Sequence, residues 1–264
     1  MASAASQHAS YLDVATEAAR GAGALARSRV AGDTDYALKG SRHDLVTEVD
    51  HLAEARIVQH ISTAFPDHGV LSEEREPHQL DARFRWVIDP IDGTSNFAHG
   101  IPFFSVSIAL EDEGELALGA LYDPMRDELF TAEAGRGAYL NGRPIRASAV
   151  DRPERAVLAT GFPHDPELRR ANMRNFERFV PLAQGLRRLG SAALALAYVA
   201  AGRIDGYWDL DLSRWDLAAG TLLVHEAGGQ VTNSRGGPLA TDEGDVIAAN
   251  GHLNEAILTH LQGG

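Results

Sequence analysis

Residues Trp86-Val87-Ile88-Asp89-Pro90-Ile91-Asp92-Gly93-Thr94-Ser95-Asn96 place two carboxylates, a rigid turn and a hydroxyl at the end of an apolar run. Arg85 to Ile88 reads as a buried strand, and Pro90 and Gly93 argue against its continuation. Asp89 and Asp92 are therefore expected at a strand terminus, where α/β proteins put their ligands. Two carboxylates this close repel unless a cation lies between them, and with no Cys or His beside them the preferred ion is Mg²⁺. The Ile91 carbonyl, between the two acids, is a further hard oxygen donor. Gly93 lets the backbone approach a ligand, and Thr94-Ser95-Asn96 suit a helix start whose free amides favour an anion such as phosphate. Metal-assisted phosphate chemistry is the leading expectation. The alternative is an ordinary Asp-Pro and Asp-Gly turn.

Working outward, Asp44, Asp50, Glu73, Glu74 and Asp216 also fall at predicted element ends. Asp50 follows Thr47 by three residues, the spacing of a capping box, and Asp216 opens a helix where a first-turn acid is commonplace. Taken singly these are caps or solvated charges. Taken together they are too many acids at element ends to set aside.

The periodicity predicts a helix over about 9–30 and another from Thr47 to Phe65-Pro66. Short strands follow at 69–72 and 85–88, then sheet strands at 103–110, 115–122 and 129–132, with a hairpin at Asn141-Gly142. This first half reads as helices on a mainly antiparallel sheet. After Asp151-Arg152-Pro153, strands at 156–160, 186–189, 204–209, 230–233 and 245–250 alternate with helices at 166–183, 191–201 and 215–227, and a last helix follows. The second half therefore reads as a smaller α/β unit. We place the boundary near residue 150: residues 1–150 as an α+β subdomain with most of the candidate metal ligands, and 151–264 as an α/β subdomain with Asp216. Gly21-Ala22-Gly23-Ala24-Leu25-Ala26 formally fits a dinucleotide fingerprint but lies inside a helical pattern, so that reading is rejected.

The chain has 264 residues, 44% of them hydrophobic, enough for a sizeable core. Its formal charge of −13, without any basic run, argues against nucleic acid as a primary partner. With no cysteine there are no disulfides, thiolate zinc sites or cysteine nucleophiles. Met1 to Ser10 is polar and lacks a signal-peptide core, and the apolar run Ala192 to Ala201 is too short to span a bilayer, so no membrane partner and a cytoplasmic location are expected. Nor is there a Gly-x-Ser-x-Gly elbow, a Walker loop or a His-Glu-x-x-His helix.

Asp44 to Asp50, Ser72-Glu73-Glu74, Trp86 to Phe97, Gly190-Ser191-Ala192-Ala193 and Trp215-Asp216-Leu217-Ala218-Ala219-Gly220 resemble, in order and spacing, the inositol monophosphatase family. The resemblance implies a layered α-β-α-β-α sandwich and a Mg²⁺-dependent, lithium-sensitive phosphatase with two to three ions per site. Glu73, Asp89 and the Ile91 carbonyl resemble ligands of a first ion; Asp89, Asp92 and Asp216 those of a second. A third, weaker ion would sit near Glu73, with Asp50 supporting its waters. Thr94, held near Asp50, resembles the residue that helps Glu73 orient a metal-bound water, and the Gly93 and Thr94 amides would cradle phosphate. Gly190, Ser191, Ala192 and Asp209 match the substrate pocket, and Lys39 a basic residue that attracts phosphate. The implied reaction is direct hydrolysis of a small phosphate monoester, with inositol 1-phosphate preferred, by a metal-activated water without a phosphoenzyme. Asp209 stands where inositol-specific members have Glu, and Arg214 before Trp215 suggests an anionic or larger substrate. Histidinol phosphate, fructose 1,6-bisphosphate and nucleotide phosphates are the alternatives, as is a regulatory protein-binding module on the same fold. The resemblance also implies a homodimer.

Overall fold

The computed structural model describes residues 4–30, 36–38, 45–240 and 244–262. Helix α1 (Ala4–Arg29) is followed by a small antiparallel pair, β1 (Tyr36–Leu38) and β2 (Leu45–Thr47), which runs directly into α2 (Glu48–Ala64). Strands β3 (Gly69–Ser72), β4 (Phe84–Asp92), β5 (Ser105–Asp112), β6 (Glu115–Asp123), β7 (Glu128–Glu133), β8 (Ala138–Leu140) and β9 (Arg143–Pro144) form one seven-stranded sheet in sequence order. Within this sheet, among the described residues, only the β3–β4 pair is parallel. The short helix α3 (Thr94–Ala98) lies between β4 and β5.

Period-two alternation decides which neighbour each strand residue meets. Trp86, Ile88, Val106, Ile108 and Leu110 pack with Ala15, Ala19, Ala22, Ile57 and Ile61 of α1 and α2. Val87 and Ala109 point the other way, to Ala218 and Ala219 of α6 (Arg214–Glu226). Both faces of the sheet are thus covered, which explains why β4 and β5 read as continuous apolar runs.

The second sheet has the order β11 (Gly185–Arg187), β10 (Val157–Thr160), β12 (Gly206–Asp209), β14 (Val246–Ala249), β13 (Gln230–Thr232). Its inner face packs through Ala159, Tyr207, Val246 and Ala248 onto α6 and onto α5 (Ala192–Ala200). Its outer face packs Leu158, Trp208 and Ile247 against Phe179 of α4 (Pro166–Phe179) and Leu253 and Ile257 of α7 (Gly251–Leu261). The layers therefore run α1/α2, sheet, α5/α6, sheet, α4/α7, the expected α-β-α-β-α sandwich.

Two local expectations need correction, and one element is unforeseen. Strand β4 does not stop at Ile88: it continues through Pro90 to Asp92, with Asp89 opposite Ser107 and Asp92 opposite Ser105, so one extra residue is accommodated as a bulge. Pro90 falls inside that irregularity, where its missing N–H costs no ladder bond. Helix α4 ends at Phe179 rather than 183. The β1–β2 pair was not anticipated, because three-residue strands carry too short a pattern to register.

Candidate active site

The bulge aims Asp89 and Asp92 at the same space, and the first turn of α6 brings Asp216 to it. One carboxylate oxygen from each of the three lies within 4.8 Å of the others. Asp216 also caps its own helix, with the Ser213 amide donating to Oδ2 at 2.7 Å. Asp216 thus combines a capping position in the first turn of α6 with a place in the carboxylate group.

The cluster is electrostatically unfavourable by itself. Burial, and then the carboxylates of Glu73, Asp92, Asp216 and Asp50, hold the Asp89 carboxyl well above the usual carboxylate range. Asp216 is raised well above that range too, by burial first and then by Asp92 and Glu73. Asp92 is also raised by burial, but less, because donors at the start of α5 stabilise its charge. The Ser191 hydroxyl donates to its Oδ2, as does the Ala193 amide at 2.9 Å, and the Ala192 amide donates to Oδ1 at 3.1 Å. Asp92 thus receives the amides of a helix N-terminus, an arrangement that favours an anion.

Glu73 follows β3 on a turn and lines the same cavity as Asp89, Ile91, Asp92, Gly93, Thr94 and Asp216. Asp50 sits behind that wall, fully buried. Its Oδ2 accepts from the Thr47 amide at 2.8 Å and the Thr47 hydroxyl at 2.5 Å, completing the capping box of α2. Its Oδ1 is 3.1 Å from the Thr94 hydroxyl, which also lies 2.9 Å from the Ile91 carbonyl. A hydroxyl has one proton, so Thr94 donates to one of these at a time. Gly93, with φ of 95°, starts α3 in the left-handed region, and a Cβ there would lie 3.0 Å from the Gly190 carbonyl.

The cavity measures about 750 Å³, and Gly190, Ser191, Ala192 and Asp209 form part of its far wall. Asp209 is buried, its Oδ2 accepting from the Tyr207 hydroxyl at 2.7 Å and its Oδ1 from the Leu210 amide at 2.9 Å. Burial pushes its carboxyl up to about 6. It leans over Gly161 so closely that a Cβ there would fall 1.8 Å from Oδ2. Arg214 does not serve the cavity: its Nε and Nη2 donate to buried Glu111 at 2.9 and 2.6 Å, and Arg85 holds the other oxygen of Glu111 at 2.5 Å. The reading of Arg214 as a selector for anionic substrates is accordingly overturned. Lys39 and Asp44 lie outside the described residues.

Sequence reasoning missed Glu54 and Glu111. Glu54 stands one helical turn after Asp50, so a second carboxylate on the same face of α2 was a usable signal. Glu111 carried none, since its partners are 26 and 103 residues away.

An all-oxygen set of carboxylates, Asp89 and Asp92 buried and Asp216 half-buried, whose strongest neighbours are further acids fits a hard divalent cation such as Mg²⁺. A model of the inositol monophosphatase family matches residues 7–263. Nus factor SuhB of Pseudomonas aeruginosa is 44% identical over 258 residues, 95% of each chain. Inositol-1-monophosphatase of Mesorhizobium japonicum is 44% identical over 255 residues, 94% of each. The crystal structure of extragenic suppressor protein SuhB from Bartonella henselae is similar with a TM-score of 0.93 at 43% identity, covering 97% of this chain and 99% of that one. Inositol monophosphatase from Anabaena gives a TM-score of 0.85 at 39% identity, covering 96% and 95%. Motif order, layered fold and carboxylate cluster agree with these likenesses: the chain belongs to the inositol monophosphatase family and is a phosphatase.

Proposed function

We propose that the protein hydrolyses inositol 1-phosphate to myo-inositol and phosphate with the help of Mg²⁺. The observation that carries this reading is the convergence of Asp89, Asp92 and Asp216 within 4.8 Å beside the start of α3. Glu73, Asp89 and the Ile91 carbonyl would hold one ion, and Asp89, Asp92 and Asp216 a second. A third would sit near Glu73, with Asp50 behind it. Bound divalent ions supply Lewis acidity there, lowering the pKa of water and offsetting charge on the entering and leaving oxygens.

The chain's own groups do the positioning. With its proton given to Asp50, the Thr94 oxygen is left as an acceptor towards the cavity, suited with Glu73 to orient the attacking water. The Gly93 and Thr94 amides favour the phosphate dianion. Gly190, Ser191, Ala192 and Asp209 shape the pocket for the polyol. Ser191 contributes mainly by fixing Asp92, to which its hydroxyl already donates. The reaction proceeds by direct displacement with no phosphoenzyme.

The test is phosphate release with Mg²⁺ titrated in, comparing kcat/KM for inositol 1-phosphate, histidinol phosphate, fructose 1,6-bisphosphate and 3′-phosphoadenosine 5′-phosphate. Inositol 1-phosphate should lead, and Li⁺ should inhibit. A higher value for any of the other three would reassign the substrate. The same reading, on the family resemblance, makes the enzyme a cytoplasmic homodimer, which sedimentation would check. Among the described residues no helix is long and apolar enough to cross a membrane.

A second role is favoured by the likeness to proteins named Nus factor SuhB. An Asp92→Asn variant separates the two. If it releases no phosphate yet replaces SuhB in cells lacking their own, the fold serves both.

A further inference from the structure

Glu54 lies in the middle of α2, one turn beyond Asp50, and is 5% exposed. A carboxylate this deep needs partners. Its Oε1 accepts from the Ser72 hydroxyl at 2.5 Å and from the Glu74 amide at 3.0 Å. Those donors belong to the residues on either side of Glu73. The Glu73 amide itself donates to the Ile88 carbonyl at 3.3 Å, next to Asp89. The turn that delivers Glu73 to the cavity is therefore pinned on one side to α2 and on the other to β4.

We propose that Glu54 is a positioning residue for Glu73: one carboxylate oxygen, bridging Ser72 and Glu74, fixes the turn so that the Glu73 carboxylate faces Asp89. This rests on the reading of Glu73 as a cation ligand. Without the bridge, the Glu74 amide and Ser72 hydroxyl lose their acceptor, and the turn is free to move away from a carboxylate that repels its side chain. The Glu73 carboxylate adds negative charge beside Asp89 and Asp216 and raises both carboxyls, so where its turn holds it matters to the whole cluster. Helix α2 thus serves the cavity at two successive turns, through Asp50 on Thr94 and through Glu54 on the Glu73 turn.

The experiment is Mn²⁺ binding to the full chain, read by electron paramagnetic resonance well below the thermal transition, together with kcat and KM. Four variants are compared: Glu54→Ala, Glu54→Gln, Ser72→Ala and Glu73→Ala. Glu54→Ala should weaken Mn²⁺ binding about tenfold or more and lower kcat, with little change in KM for the phosphate ester, since the loss falls on the metal site. Glu54→Gln, which keeps an acceptor oxygen, should recover most of the affinity. Ser72→Ala removes one of the two bonds and should give an intermediate loss, keeping the test available if Glu54→Ala does not fold. Wild-type Mn²⁺ affinity in Glu54→Ala, or in Ser72→Ala where the former is unfolded, overturns the inference while Glu73→Ala still binds weakly. Wild-type affinity in Glu73→Ala overturns the ligand reading itself, and the inference with it.

Discussion

Replacing Asp89 by Asn should stabilise the metal-free protein, and Mg²⁺ should cancel most or all of that advantage over wild type. Asp89 has oxygens within 4.8 Å of those of Asp92 and Asp216. At that separation and an effective dielectric of ~20, each pair of charges repels by about 3.5 kcal/mol. Relaxation around the open cavity offsets part of this, so the net gain expected from the neutral side chain is roughly 1–3 kcal/mol, or about 3–10 °C in a chain of this size. Little is lost in exchange, because the Asn oxygen can still accept from the Ile91 amide, as Asp89 Oδ1 does at 2.9 Å. With Mg²⁺ at about 100 times its dissociation constant, wild type gains about 2.7 kcal/mol by mass action, and the variant should gain little of it.

The sign with pH follows from the raised folded-state pKa of Asp89. A carboxyl raised in the folded state contributes no penalty below its unfolded pKa of about 4, and the penalty grows as pH rises through the folded value. The advantage of Asp89→Asn in chelator should therefore vanish near pH 4 and increase towards neutrality. Thermal unfolding in EDTA and in Mg²⁺ across that range is the assay. A lower transition for the variant in EDTA at pH 7 would refute the reasoning. Asp92→Asn is the contrast: an amide cannot accept from Ser191, Ala192 and Ala193 together, and a buried donor facing donors costs about 1–3 kcal/mol, offsetting the relief. Its metal-free transition should not rise.

Thr94→Ala should lower kcat by about 10² if the hydroxyl orients water, and steady-state kinetics at saturating Mg²⁺ would show it. Gly161→Ala should displace Asp209 from Tyr207 and raise KM for inositol 1-phosphate, with a stability loss of about 1–3 kcal/mol in urea unfolding from the broken buried bond. Glu111→Ala leaves Arg85 and Arg214 without their shared carboxylate and should cost roughly 3–5 kcal/mol, measured by the same unfolding. His68, whose Nδ1 accepts from Trp86 Nε1 at 3.1 Å, is lowered by burial, so its neutral form favours folding. That contribution is present above pH about 6.5 and is lost as pH falls towards the folded-state value; Trp fluorescence in a pH titration, with His68→Gln as the insensitive control, would follow it.

The individual strands and helices, and the pair Asp89 and Asp92, could be read from local patterns, whereas the layer order and the meeting of Asp216 with that pair came only from the family resemblance. Continuous apolar runs marked β4 and β5, helical stripes marked α1 and α2, and each acid sat beside a residue that ends or begins an element. What escaped reading depends on distance along the chain. Arg214 is the clearest case: nothing near it announces Glu111 on the adjacent sheet, so its charge was free to be assigned to substrate. Ser191 is similar, matching a pocket position while its hydroxyl is engaged by a carboxylate 99 residues earlier. Pro90 misled for a different reason. Its effect on a strand depends on whether a bulge absorbs it, and a bulge is set by the partner strand.

Asp92 receives its amide donors only when the start of α5 arrives from about a hundred residues downstream, and Asp216 comes later still. During synthesis the emerging amino-terminal portion holds Asp89 and Asp92 without these later partners. The polypeptide therefore completes its three-carboxylate cluster only after α6 has left the ribosome, and a product terminated before α6 lacks Asp216.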